Sequence, residues 1–229
     1  MRVMLLAGGL GTRLKPITDL VPKCMVKIKG EPLLGIWLDR LTLAGASSFF
    51  VNTHYLSTIV EDYINSSQYC KQVLLENELE LKGTAGTLVD NLDFFQGKGG
   101  MLIHADNYCL ADLKAFCHFH QQRPKYCLMT MMTFRTNDPS SCGIVELDEF
   151  GVVVGFHEKV ANPPGNLANG AIYFLSEELI EILSKEDMKK SKDFSIDILP
   201  KLLGRIYSYE TLNILLDIGT PENYEIANK

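Results

Sequence analysis

Apolar and polar positions follow two successive rhythms along the chain. An apolar run at residues 3–7 has strand length. After the turn Gly30-Glu31-Pro32, the residues Leu33, Leu34, Trp37, Leu38 and Leu41 recur at helical spacing, and Gly45 can end that helix. Residues 48–52 then read as a buried strand, Ile59, Val60, Tyr63 and Ile64 as a second helix, and residues 72–75 as another strand. A third helix is expected over 83–92, and a strand over 101–105 that runs into Asp106. This β–α alternation implies a mostly parallel sheet covered by helices on both faces.

After Asp106 the rhythm changes. A helix from 110 to about 121 is followed by strands at 126–133, 143–147, 152–157 and 168–175, some joined by short turns such as Asp148-Glu149-Phe150-Gly151. Helices near 177–183 and 195–203 precede short strands at 206–209 and 213–217, and the charge-rich stretch 185–192 reads as a solvated loop. No internal repeat or low-complexity segment interrupts the pattern. The expectation is one domain over 1–229, with an alternating β–α part of about 1–107 and a mixed part of about 108–229.

Composition narrows the function classes. The 229 residues are 46% hydrophobic and 22% charged, and no apolar run approaches the ~20 residues of a membrane span, so no membrane partner is expected. A formal charge of −6 disfavours a nonspecific nucleic-acid binder, which carries a basic face. Cysteines 24, 70, 109, 117, 127 and 142 show no CxxC spacing, and the apolar start is too short for a signal-peptide core; a cytoplasmic protein is expected.

The chemistry concentrates between Leu5 and Lys23. Gly8, Gly9 and Gly11 let the backbone turn tightly and approach a ligand, and their N–H groups suit phosphate oxygens. Arg13 adds a planar fork of donors and Lys23 a compact cation, in a loop punctuated by Pro16 and Pro22. A dinucleotide fingerprint begun at Gly9 needs glycine where Leu14 stands, and a helix opening there meets Pro16 at once. No Gly-Lys-Ser/Thr follows, which excludes a P-loop.

The run Gly9-Leu10-Gly11-Thr12-Arg13-Leu14 followed by Pro22-Lys23 resembles the signature of the sugar-1-phosphate nucleotidyltransferases, with Cys24 where that family usually has proline. Further matches follow in order along nearly the whole chain. Gly83-Thr84-Ala85-Gly86 is similar to the family's nucleoside loop. His104-Ala105-Asp106-Asn107 and Asp217-Ile218-Gly219-Thr220 are similar to its two metal motifs. Cys142-Gly143-Ile144-Val145, Glu158-Lys159 and Asn169-Gly170-Ala171-Ile172-Tyr173 are similar to its sugar-phosphate motifs, with Val160 replacing the proline after Lys159. Alone, each aspartate reads as a turn residue at a strand end and Glu158-Lys159 as surface charge.

The resemblance implies a Rossmann-like, three-layer α/β fold with a mostly parallel or mixed sheet of the nucleotide-diphospho-sugar transferase type and a C-terminal sugar-binding subregion. It implies nucleotide binding by Leu6, Ala7, Gly8, Gly9, Gly11, Thr12 and Arg13, with Arg13 and Lys23 on the triphosphate and Arg13, Lys23 and Asp106 catalytic. Gly83 and Thr84 would hold the nucleoside, and Asp106 and Asp217 would hold Mg²⁺. Gly143, Glu158, Lys159 and Asn169 would bind the sugar phosphate. The implied reaction joins a nucleoside triphosphate to a sugar 1-phosphate and releases pyrophosphate, giving a nucleotide-sugar of the kind used in polysaccharide biosynthesis. The sugar and the oligomeric state stay open, a homo-oligomer included.

For the base, Glu78 stands where family members using dTTP or UTP often have glutamine. A carboxylate only accepts, which suits the paired N1–H and N2–H donors of guanine. Together with the look of the carboxyl-terminal half, which is similar to mannose-1-phosphate and manno-heptose-1-phosphate guanylyltransferases, this favours GTP. The residue itself reads equally as a solvated glutamate in the acidic run 76–80. A thymidylyl- or uridylyltransferase of the same family and a silent nucleotide-sugar sensor remain the alternatives. Cys117 and His120 share a helical face, but no second pair accompanies them, so a structural role is expected.

Overall fold

A computed structural model describes residues 1–229. In chain order its elements are β1 (Arg2–Leu6), β2 (Lys27–Ile28), β3 (Glu31–Pro32), α1 (Leu33–Leu43), β4 (Ser48–Thr53), α2 (Ser57–Ser66), β5 (Val73–Asn77), α3 (Gly83–Asp90), β6 (Gly100–His104) and β7 (Asn107–Cys109). They continue with α4 (Leu113–Gln121), β8 (Met129–Arg135), β9 (Gly143–Leu147), β10 (Val153–Glu158), β11 (Leu167–Leu175), α5 (Glu177–Leu183), β12 (Ile206–Glu210), β13 (Leu215–Asp217) and α6 (Pro221–Asn228). The residues cluster in two compact units: Met1–Leu81, Ile103–Leu113 and Ile214–Lys229 form the first, Lys82–Leu102 and Lys114–Asn213 the second. The architecture is the expected mixed α/β one. No helix is long and apolar enough to cross a membrane.

In the first unit β1, β4 and β5 run parallel, with Leu6 opposite Asn52 and Asn52 opposite Glu76. Burial on both faces explains the unbroken apolar runs of β1 and β4. Helix α1 buries Leu33, Leu34, Trp37, Leu38 and Leu41, the positions its spacing selected. It ends at Gly45, whose φ of 94° an L side chain rarely adopts. The same helix pins the segment after Asp106: Trp37 Nε1 donates to the Asn107 carbonyl at 2.8 Å and Arg40 Nη2 to that of Ala111 at 2.7 Å.

The structure departs from the sequence reading at three places in this unit. The expected helix from 110 begins only at Leu113, because β7 pairs antiparallel with β13 and Leu110 N–H donates to the Ile214 carbonyl. The strand expected over 213–217 begins only at Leu215 and forms this two-stranded ladder, with Asp217 at its end. Helix α6, not foreseen, opens with Pro221 in its first turn behind the Thr220 cap.

In the second unit β8 lies between β11, antiparallel, and β12, parallel, while β9 pairs antiparallel with both β10 and β11. The helix expected over 195–203 is instead a wide π-type turn, Phe194–Ile198, followed by a tight 3₁₀ turn, Leu199–Leu202. Pro200 supplies no N–H to a continuing α-helix, and the Asp193 carboxylate accepts from Ser195 N and Ile196 N at the start. The stretch 185–192 is mostly exposed, as expected, although Met188 and Ser191 are buried.

Candidate active site

The glycine loop leaves the end of β1 already shaped. Asn52, beside Leu6 in the ladder, accepts the Ala7 N–H on Oδ1 at 2.8 Å. Gly8 passes so close that a Cβ would lie 3.0 Å from Asn52 Nδ2. Gly11 takes φ 64°, and a Cβ there would meet the Thr18 methyl at 2.8 Å. Thr18, wholly buried, donates its hydroxyl to the Gly11 carbonyl at 2.8 Å. Thr12 and Arg13 are exposed in the short turn that follows, while Leu14 anchors it in the core.

Four charged side chains from separate stretches of the first unit converge beside this loop. Lys23, buried, places Nζ 2.7 Å from Asp106 Oδ2 and 2.6 Å from Asp217 Oδ1. Arg13 Nη2 takes the other Asp217 oxygen at 3.0 Å. Gly219 lets this pair close, since a Cβ would lie 2.8 Å from both Arg13 Nη2 and Asp217 Oδ2. A cavity of about 360 Å³ opens here, lined by Gly9, Gly11, Arg13, Lys23, Asp106 and Gly219 among others.

Burial works against the charge of Lys23, but the two carboxylates outweigh it and raise its pKa above the usual lysine value. Burial likewise works against ionised Asp106, and Lys23 with His104 holds its carboxyl below the usual range. Both groups are thus charged at neutral pH. Cys24, by contrast, is buried and its thiol is pushed up to about 12, which makes it inert packing.

Glu78 is buried, not solvated: the Asn52 amide donates to Oε1 at 3.2 Å, and His54 Nδ1 contacts the Glu78 carbonyl at 2.7 Å. Asn52 thus serves both the first N–H of the glycine loop and the residue expected to read the base. The sequence reading assigned it only to a strand. An asparagine ending the apolar run Phe49-Phe50-Val51 was the available signal.

The second unit brings together the four residues expected to bind sugar phosphate. Gly143 opens β9 opposite Glu158 of β10, and a Cβ on Gly143 would lie 2.6 Å from Glu158 Oε2 and 2.7 Å from the Phe156 ring. Lys159, exposed and at φ 48°, sets Nζ 3.3 Å from Glu158 Oε1. Asn169 follows Ala168, which pairs with Ile144, and sits where the β11–β8 ladder slips register. Gly83, at φ 80°, abuts the Lys192 carbonyl, and Thr84 Oγ1 accepts from Phe194 N–H at 2.8 Å.

His120 is a core residue, as expected. Its Nδ1 meets Thr130 Oγ1 at 2.8 Å, its ring stacks on Phe174, and burial, helped by Arg123, pushes its pKa down to about 3.

The family model described as nucleotidyl transferase matches residues 2–229. A mannose-1-phosphate guanylyltransferase of Mycobacterium tuberculosis is 29% identical over 96% of the chain, which spans 62% of that relative's length. A D-glycero-alpha-D-manno-heptose 1-phosphate guanylyltransferase of Campylobacter jejuni is 28% identical over 98% of the chain and 97% of its own length. Among solved structures, HddC from Yersinia pseudotuberculosis superposes with TM-score 0.81 at 28% identity, covering 99% of this chain and 97% of that one, and was also crystallised with GMP-PN. A Bacillus anthracis structure at TM-score 0.87 and 20% identity, covering 100% of this chain and 94% of that one, shares the fold.

Proposed function

The chain belongs to the nucleotidyl transferase family, and from that premise we propose that it transfers a nucleoside monophosphate, from GTP by preference, to a manno-configured hexose or heptose 1-phosphate. One observation carries this reading: Arg13, Lys23, Asp106 and Asp217 meet beside a preshaped glycine loop. A sugar 1-phosphate needs little activation, since its second pKa is about 6 and it is mostly dianionic at neutral pH. One of its phosphate oxygens attacks the α-phosphorus in line, the bond from that phosphorus to the bridging oxygen breaks, and pyrophosphate leaves with the bond's electron pair.

The residues supply position and charge. Backbone N–H groups of the glycine loop and the Lys23 ammonium hold phosphate oxygens. Arg13, at the exposed end of the cluster, stabilises the charge that builds on the departing phosphates. Lys159 serves the sugar phosphate, and Glu158 and Asn169 the sugar hydroxyls. Asp106 and Asp217 would hold Mg²⁺, which when bound offsets repulsion among the phosphates. They suit it because Asp106 Oδ2 and Asp217 Oδ1 already converge on a single cationic nitrogen. No third His, Cys, Asp or Glu joins them, in keeping with an ion that takes one or two carboxylates and completes its shell with substrate and water.

The choice of GTP rests on Glu78, whose burial removes the reading of a solvated acid. It is further supported by the full-length likeness to a heptose 1-phosphate guanylyltransferase and to a structure bound to GMP-PN. The test is pyrophosphate release measured with GTP, UTP, dTTP and CTP against a panel of sugar 1-phosphates, repeated with Glu78→Gln. GTP with mannose 1-phosphate or a manno-heptose 1-phosphate should win, and the substitution should erode that preference. No turnover with any pair would leave a silent sensor; preference for UTP or dTTP would reject the role of Glu78.

A further inference from the structure

Asn169 is held at both ends of its amide. Its Oδ1 accepts from Ala171 N–H at 2.9 Å, and its Nδ2 donates to the Tyr173 hydroxyl at 2.7 Å. One amide hydrogen and one oxygen lone pair remain for a ligand, aimed by these two bonds. The local backbone is built for this. Ala171 takes φ 52°, which L residues rarely adopt, and the β11–β8 register slips between Asn169 and Tyr173.

Tyr173 is fully buried, and its ring lies 4.8 Å, centroid to centroid, from that of Phe194. Burial raises its pKa above the usual tyrosine value, so its hydroxyl keeps its proton, and it is also hydrogen-bonded with Ser195. The turn carrying Phe194 and Ser195 is itself fixed by carboxylates: Asp197 Oδ2 accepts from Lys192 N and Asp193 N, at 2.7 and 2.9 Å. On its other side this turn grips the nucleoside loop, where Lys192 O accepts from Ala85 N at 2.9 Å and Thr84 Oγ1 from Phe194 N at 2.8 Å. All these contacts lie within the second unit.

We propose that Tyr173 is a positioning residue that fixes the Asn169 amide for the sugar and, through the Lys192–Ser195 turn, ties that amide to the nucleoside loop at Thr84. The proposal rests on the reading of Asn169 as a sugar contact. A rigid amide discriminates between hydroxyl orientations, whereas a rotating one does not, because only a fixed donor leaves the wrong epimer unpaired.

The test measures KM for mannose 1-phosphate, KM for GTP, kcat and melting temperature for the unmodified protein, Asn169→Ala, Tyr173→Phe and their combination. Each single change should raise the mannose 1-phosphate KM about tenfold, the worth of one lost hydrogen bond. The GTP KM and kcat should stay within about twofold, and the combination should be no worse than Asn169→Ala alone. Tyr173→Phe should also narrow discrimination against glucose 1-phosphate. Ser195→Ala, which approaches the hydroxyl from the other side, should give a smaller change of the same kind, and covers the case in which Tyr173→Phe folds poorly. Thr84→Val should raise the mannose 1-phosphate KM in the unmodified protein and not in the Tyr173→Phe background.

A sugar-phosphate effect of Asn169→Ala without one from Tyr173→Phe or Ser195→Ala, or two effects that simply multiply, would overturn the positioning role. A Thr84→Val effect on GTP alone would overturn the tie to the nucleoside loop. No effect from Asn169→Ala would reject the sugar contact on which the proposal stands.

Discussion

The charged corner of the first unit, around Arg13 and Lys23, and the Asn169 corner of the second are held by different forces. In the first, two cations and two carboxylates neutralise one another, and the Arg13–Asp217 pair is well exposed, at 66% and 44% of the side chains. Such a pair contributes roughly 0–1 kcal/mol to stability. Its partners can therefore be exchanged at little cost to the fold. In the second, Asn169 is fixed by neutral hydrogen bonds to a buried tyrosine and to its own strand, and Gly143 admits Glu158 by lacking a side chain. That corner is set before any ligand arrives. One corner is thus adjustable in its charges, while the other is locked in its shape.

Replacing a carboxylate of the adjustable corner should have the largest effect and little structural consequence. Asp217→Asn should lower kcat on the order of 100-fold with an almost unchanged melting temperature, since Lys23 keeps Asp106. Near-normal turnover at low Mg²⁺ would remove Asp217 from the site. Arg13→Ala should lower kcat and kcat/KM together, about tenfold, because its interaction strengthens as the bond breaks. A change confined to KM would make it a ground-state binding residue, and the corner less adjustable than its geometry suggests.

In the locked corner the balance should reverse. Gly143→Ala must displace either Glu158 or the Phe156 ring, and should cost about 1 kcal/mol in chemical denaturation while raising the sugar-phosphate KM and sparing that of the nucleotide. Equal losses for both substrates would dissolve the distinction.

The smallest test concerns His120, in the core of the second unit. Its folded pKa, pushed down to about 3 by burial, lies below the ordinary 6.5, so the unfolded chain binds the proton that the folded one refuses. Stability attributable to this group is present above 6.5 and lost as the pH falls from there toward 3. Between pH 7 and pH 5.5 the loss should be about 1 kcal/mol by denaturant unfolding. His120→Gln should lack this slope; an unchanged slope would show that the imidazole is accessible to protons.

What the sequence determined by itself was local in its physics. The strand and helix periods of the first half, the glycines needed for tight backbone, the cations beside them and the ordered run of motifs each depend on residues within a few positions of one another. These sufficed for the fold class, and they named residues that the structure brings close together, such as Lys23 with Asp106 and Gly143 with Glu158. That Arg13 meets Asp217, 204 positions away, and that Asp217 lies beside Asn107 in the short β7–β13 ladder, are features of the tertiary structure that no periodicity announced. The same holds for Glu78, whose place in an acidic run suggests solvent but whose carboxylate is buried and accepts from the Asn52 amide. It holds again for Tyr173, an ordinary strand residue until a register slip and a turn some twenty residues later close on its hydroxyl. Burial and pairing are properties of surfaces brought together, and a one-dimensional pattern records the surfaces without recording which of them touch.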